Sequence, residues 1–116
     1  MTARATVRLT RGARLDLHGI YRRHLALRGT DGPDGAEALL ESLVKSVEGL
    51  AQHPEKGPVV EELEAIGIPT FRQLSRAPFR IIYRIDSKEP DRLVTVLVIA
   101  DGRRDFRTLL EERLLR

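Results

Sequence analysis

Apolar and polar residues change their period several times along this chain, and each change marks an element. From Ala5 to Leu9 they alternate, with Val7 and Leu9 on one side and Thr6 and Arg8 on the other, as a short half-buried strand requires. The period then lengthens. Ala13, Leu17, Ile20, Tyr21 and Leu25 share one face at helical spacing. This predicts a helix that starts at Thr10, whose hydroxyl is the N-cap, and runs to about Arg28. Gly29-Thr30-Asp31-Gly32-Pro33 breaks it. A second helix is expected next, capped by Asp34 with Glu37 completing a capping box. Its apolar stripe is Ala36, Leu40, Leu43, Val47 and Leu50, widened by Leu39, Val44 and Ala51, and its wet face is Glu37, Glu41, Lys45 and Glu48. His53-Pro54 ends it, because proline pushes the residue before it out of the helical region. Two amphipathic helices with a short Gly/Pro turn between them predict a helical hairpin.

From Glu55 to Pro69 neither period holds, which predicts an irregular connector anchored by Val60, Leu63, Ile66 and Ile68. Three strand-like runs follow: Phe71 to Leu74, Phe79 to Asp86, and Arg92 to Ala100. Ser-Arg-Ala-Pro and Ser-Lys-Glu-Pro-Asp separate them, and Asp101-Gly102 ends the third. Asp105 is placed to cap a last helix carrying Phe106, Leu109, Leu110 and Leu114. The order β-α-α-β-β-β-α predicts an α+β, two-layer fold. In it the helical hairpin and the C-terminal helix pack on one face of a small, mostly antiparallel sheet. The size predicts a single domain over residues 1–116.

Composition narrows the chemistry. There is no cysteine, so disulfides, thiolate metal sites and cysteine nucleophiles are excluded. No apolar run is long enough for a membrane span, and the N-terminus shows no export signal, so the cytoplasm is the expected compartment and no membrane partner is expected. The net charge of +3 is unevenly spread. Residues 1–28 carry +6, residues 29–70 carry −7 and residues 71–116 carry +4. Seventeen of the twenty basic residues are arginine, the better fork for phosphate and carboxylate.

Strand parity puts Phe79, Ile81, Tyr83 and Ile85 on one face, the natural core face, and Arg80, Ile82 and Arg84 on the other, an open one. Arg72 on the neighbouring strand, and Arg103 and Arg104 at the exit of the last strand, are candidates to join Arg80 and Arg84 in holding an anion. The alternative is a solvated face, or pairing of these arginines with Asp86, Asp101 and Asp105. Glutamates between residues 55 and 64 read as a solvated acidic arm. His18, His24 and His53 have no metal-ligand spacing, and there is no phosphate loop or nucleophile elbow, so neither a metal nor a cofactor is expected. Aromatic residues make up 4%, too few for a stacking platform that binds single-stranded bases.

The pattern FRQLSRAPFRIIYRI followed by LVTVLVIADGRRDFRTLLEERLL resembles the RelE/ParE superfamily, toxins of bacterial type II toxin–antitoxin (plasmid stabilisation) systems. The segments VRLTRGARLDLHGIYRRHL and LESLVKSVEGLAQHPEKG fit the same resemblance, which covers nearly the whole chain. It implies a compact α+β fold and a cognate antitoxin. RelE-like members cleave mRNA at the ribosome without a metal, using basic residues around the scissile phosphate. Arg72, Arg80 and Arg103 are the matching candidates here. Many such members carry a histidine, basic residues and a tyrosine after the last strand. This chain has Gly102-Arg103-Arg104-Asp105-Phe106 there, without histidine or phenol, and arginine is a poor general base. ParE-like members share the scaffold and poison DNA gyrase, and the ending RRDFRTLLEERLL resembles that branch more closely. The resemblance thus implies gyrase poisoning first and mRNA cleavage second, with a non-toxic binding member as a third reading. Leu109, Leu110 and Leu114, with Leu115, exceed one narrow buried stripe, so they are expected either to pack deeply or to meet an antitoxin. The basic surface predicts an acidic segment in that partner.

Overall fold

A computed structural model describes residues 5–87, 92–103 and 105–115. In chain order the elements are β1 (Thr6–Leu9), α1 (Arg11–Arg28), α2 (Ala36–Glu48) with a 3₁₀ turn at Gly49–Ala51, α3 (Glu61–Glu64), β2 (Phe71–Arg76), β3 (Phe79–Ser87), β4 (Arg92–Asp101) and α4 (Phe106–Leu114). The α+β class and the expected order are present, with one extra helical turn, α3, inside the connector. The strands lie in the order β1-β4-β3-β2. β2, β3 and β4 form an antiparallel meander, and β1 joins β4 in parallel, Thr6 beside Leu93 and Leu9 beside Val96.

Local chemistry sets the helix ends. The Thr10 hydroxyl accepts from Ala13 N at 3.1 Å, and the Asp105 carboxylate accepts from Thr108 N at 3.2 Å, so both expected caps form. Replacing Thr10 by alanine is expected to cost about 1 kcal/mol in urea denaturation, the usual worth of such a cap. At α2 the expectation fails. Gly35 holds the cap position, and the first free amides, Ala36 N and Glu37 N, go to the Gly29 and Thr30 carbonyls at 2.9 and 3.2 Å. The preceding turn satisfies those donors, so Asp34 has none to cap. Glu37 instead accepts from the Tyr21 hydroxyl at 2.7 Å and ties α2 to α1. α2 also gives way to the 3₁₀ turn before reaching His53-Pro54. Among the expected core positions, Leu25, Val44 and Ile66 are exposed.

The larger correction concerns the sheet's second face. One face packs Ile81, Tyr83, Val94, Val96 and Ile99 against α1 and α2, with Phe79 and Ile85 alongside, as parity predicts. The other was expected to be open. It holds a second core instead: Phe71, Ile82, Val98 and Ala100 lie with Val60 and Leu63 of the connector and Phe106 and Leu110 of α4. The last helix, expected beside the helical hairpin, therefore covers the opposite face, and the sheet is sandwiched rather than two-layered. Ile82 marked this face as apolar between two arginines, and a side chain of that size is buried wherever a neighbour can cover it.

A β-bulge leaves Leu97 of β4 without a partner on β3, since Ile82 pairs with Val98 and Tyr83 with Val96. β1 has already ended at Leu9, so beyond Thr10, whose hydroxyl reaches Leu97 O at 3.5 Å, β4 has no strand on its other side either. Two charged side chains take over that edge. Asp16 of α1 accepts from Ile99 N at 3.0 Å, and Arg113 of α4 donates to Leu97 O at 3.0 Å. Arg113 and Asp16 also close on each other through two hydrogen bonds of 2.9 and 3.0 Å. Gly12 leaves room for this clamp, because a Cβ there would stand 2.7 Å from an Arg113 nitrogen.

Candidate functional site

The arginines expected to share one surface do not: Arg80 and Arg84 lie on the second-core face of β3, whereas Arg72 stands directly opposite Tyr83 and so lies on the other face. The fold also uses their charges internally. Arg80 is the hub. Its guanidinium forks onto Glu62 at 2.7 and 2.9 Å and donates to Gln73 Oε1 at 2.8 Å. It also lies over the Phe106 ring, 4.0 Å from the centroid, where the ring's negative face attracts a cation. The stem of Arg80 crosses Gly102 so closely that a Cβ there would sit 2.7 Å from Arg80 Cδ. Its side chain is 16% exposed. To hold a phosphate, Arg80 would first have to give up Glu62. The hydrogen bond from Arg80 holds the Glu62 carboxyl below its ordinary range, against the opposing effect of burial.

The other candidate arginines are also engaged. Arg72 donates to the Gly57 carbonyl at 2.8 Å. Arg84 pairs with Asp86 at 2.8 Å, and Asp86 accepts in turn from Thr95. Arg103 pairs with Asp101 at 2.6 Å on the surface. Pairing with Asp86 and Asp101 was one of the readings open at the sequence level, and Arg84 and Arg103 make those two pairs. Asp105 pairs with no candidate arginine among the described residues, because capping α4 occupies it. Arg104 lies outside the described residues. The acidic arm is corrected too. Glu62 serves Arg80 and Glu55 pairs with Arg92, while Glu61 and Glu64 remain exposed. Nothing in the spacing tied Glu62 to Arg80, since they lie 18 positions apart in different elements. Phe106, noted in the sequence for lacking a phenol, is the shelf beneath Arg80.

Of the leucines proposed to meet a partner, Leu110 is fully buried and Leu114 is half-buried against the second core. Leu109 packs against the second core too, and it also borders a groove of about 780 Å³ between α1, the Phe79–Asp101 end of the sheet and α4. Its floor includes Phe79, Ile99 and Leu39, and its walls Leu15 and Leu27, which are 60% and 80% exposed. Arg23, Arg28, Arg103 and Arg113 rim it. Asp16 and Asp101 also line it and pair with Arg113 and Arg103, so Arg23 and Arg28 are the rim cations without a carboxylate partner among the described residues. An apolar trough with two such cations on its rim accepts an amphipathic segment carrying carboxylates. The clue available in the sequence was Leu15 and Leu27, two large apolar residues off the core stripe of α1.

Among the described residues no group of His, Asp and Glu is placed to hold a metal ion, and no helix is long and apolar enough to cross a membrane. The model of a protein family described as the ParE toxin of the type II toxin–antitoxin system, parDE, matches residues 7–106. A solved chromosomal ParDE toxin–antitoxin system from P. aeruginosa contains a chain that superposes with a TM-score of 0.64 at 26% identity, over 85% of this chain and 97% of that one. A chain of the RelBE2 toxin–antitoxin complex from Mycobacterium tuberculosis shares the fold, with a TM-score of 0.60 at 23% identity, over 87% of this chain and 94% of that one. No curated protein matches.

Proposed function

The chain belongs to the ParE toxin family of type II toxin–antitoxin systems, and from that premise we propose that it poisons DNA gyrase in the cytoplasm, cuts no RNA itself and is neutralised by a cognate antitoxin. The observation that carries this reading is the state of Arg80. A metal-independent ribonuclease needs a free cation at the scissile phosphate and a group that moves a proton. Here the best-placed cation is bound to Glu62 and Gln73 and stacked on Phe106. The strand exit supplies arginine, aspartate and phenylalanine where histidine and tyrosine would be needed. Arg72, Arg84 and Arg103 serve in this reading to hold the fold and shape a surface. The test is gyrase supercoiling of relaxed plasmid in the presence of the purified protein. Supercoiling is expected to fall as protein is added. Unchanged supercoiling at large excess, or cleavage of translated mRNA at the ribosomal A site, overturns the reading.

The antitoxin, on the same reading, lays an acidic amphipathic segment into the groove along α1. Leu27 is the sharpest probe because it is 80% exposed and contributes little to the core. Leu27→Glu is expected to leave thermal stability within about 0.5 kcal/mol of the parent. It is expected to weaken antitoxin binding by at least about tenfold, because it puts a carboxylate on the apolar wall facing an acidic partner. Titration calorimetry with the protein encoded beside this toxin reads the effect, and undiminished affinity moves the antitoxin to another face.

A further inference from the structure

The solvent face of α1 carries Arg11, Arg14, His18 and Arg22. At 3.6 residues per turn these fall within about 80° of one another and span about 16 Å of helix. All three arginines are exposed. Elsewhere Arg80, Arg84, Arg92, Arg103, Arg107 and Arg113 each have a carboxylate partner. Among the described residues none of Arg11, Arg14 and Arg22 has one, and Arg14 reaches only the Leu9 carbonyl at 3.1 Å. The helix contains one acidic residue, Asp16, and the clamp on Arg113 and Ile99 consumes it. The outward field of α1 is therefore positive along its length, and no ion pair among the described residues uses it.

We propose that this face of α1 binds the phosphate backbone of duplex DNA, without reading its sequence. Three arginines in line neutralise successive phosphates and release their counterions. A helix of about 10–12 Å diameter matches the major groove of B-form DNA, about 12 Å wide, and is shut out of the deep, narrow major groove of A-form RNA. The one aromatic side chain bordering the stripe, Tyr21, is half-buried with its hydroxyl tied to Glu37, so the stripe offers no row of rings on which unpaired bases would stack. An amphipathic protein partner would need an apolar trough, and that lies around the helix on the groove side, beside Leu27 and Arg23. The inference concerns a different surface from the groove and does not depend on gyrase being the target.

Fluorescence anisotropy of a labelled duplex DNA of about 20 base pairs with the full chain tests it across a salt series. Binding is expected to weaken linearly in log salt. Changing Arg11, Arg14 and Arg22 together to glutamine is expected to flatten the slope by about 2–3, since each neutralised phosphate contributes roughly 0.9, and to reduce affinity at least about tenfold at low salt. The triple lysine variant is expected to keep most of the binding, since each phosphate needs a point charge rather than a fork. An unchanged slope and affinity in the glutamine variant overturns the proposal. So does equal binding of duplex RNA, of single-stranded DNA or of polyglutamate, each of which would assign the stripe to another partner. Circular dichroism of both variants, expected to match the parent, separates weaker phosphate binding from unfolding.

Discussion

Replacing Arg80 by alanine is expected to lower the free energy of unfolding by about 3 kcal/mol, the range for breaking a largely buried ion pair from one side. The change strands Glu62 and Gln73, removes the cation over Phe106 and empties the space above Gly102. Urea denaturation reads the loss, with the slope m unchanged if the folded state stays compact. Acid titration adds a second signature. The folded carboxyl of Glu62 sits below its unfolded value because Arg80 donates to it. Its stabilising contribution is therefore complete above the unfolded glutamate value, about 4.3, and is lost as pH falls through the lower folded value. The gap between parent and Arg80→Ala is expected to narrow from about pH 5 downward. Arg80→Lys, a single charge facing two carboxylate oxygens, should recover part of the stability. A change within about 0.5 kcal/mol would mean that Arg80 carries little structure. Its role as an anion site would then reopen.

Tyr83→Phe is expected to cost about 2–3 kcal/mol through the loss of one oxygen. The Tyr83 hydroxyl, fully buried in β3, donates to Pro54 O at 2.8 Å and accepts from Gly57 N at 2.9 Å. It fastens the connector to the sheet from below while Arg72 fastens it from the side. Phenylalanine fills the ring's space but leaves a buried amide and carbonyl unpaired, and each costs more than the net worth of the bond. Glycine is needed where the loop passes, since a Cβ at position 57 would stand 2.1 Å from Gln73 O. Hydrogen exchange at the Gly57 amide is expected to rise more than exchange in β4, because the loop opens locally. Burial raises the phenol's pKa. The neutral form is thus favoured in the fold, and stability is expected to fall as pH rises past about 10, where the unfolded phenol ionises. The phenylalanine variant lacks that alkaline component. Equal slopes in both proteins above about pH 10 would contradict this role for the hydroxyl.

Periodicity made the elements legible, and local capping chemistry fixed two of the three long-helix starts. Thr10 and Asp105 cap because each has free amides ahead of it; Asp34 does not, because the chain curls back and Gly29 and Thr30 satisfy those amides first. Alternation identified one core face of β3 correctly. It misjudged the other because Ile82 was outvoted by Arg80 and Arg84, although arginine covers apolar surface with its stem while its charge finds a partner. Which partner it finds is a long-range matter. Pairing of Arg84 with Asp86 was visible as neighbours on one strand, but Arg80 with Glu62 required knowing how the connector folds back. The groove escaped for the same reason, since three separated segments make its walls.

The Asp16–Arg113 clamp and the β1–β4 pairing bear on when this protein comes to exist during synthesis. Thr6 waits for a strand 87 residues downstream, and Asp16 waits for a partner 97 residues downstream. Contacts that distant close late, since loop entropy must be overcome before they yield stability. At about 5–20 residues per second, the first strand is made on the order of 5–20 s before the strand it pairs with. Until α4 leaves the ribosome, the edge of β4 is unsealed and the second core lacks Phe106 and Leu110. The nascent chain is therefore expected to stay protease-sensitive until α4 has emerged and packed, which limited proteolysis of stalled chains would read.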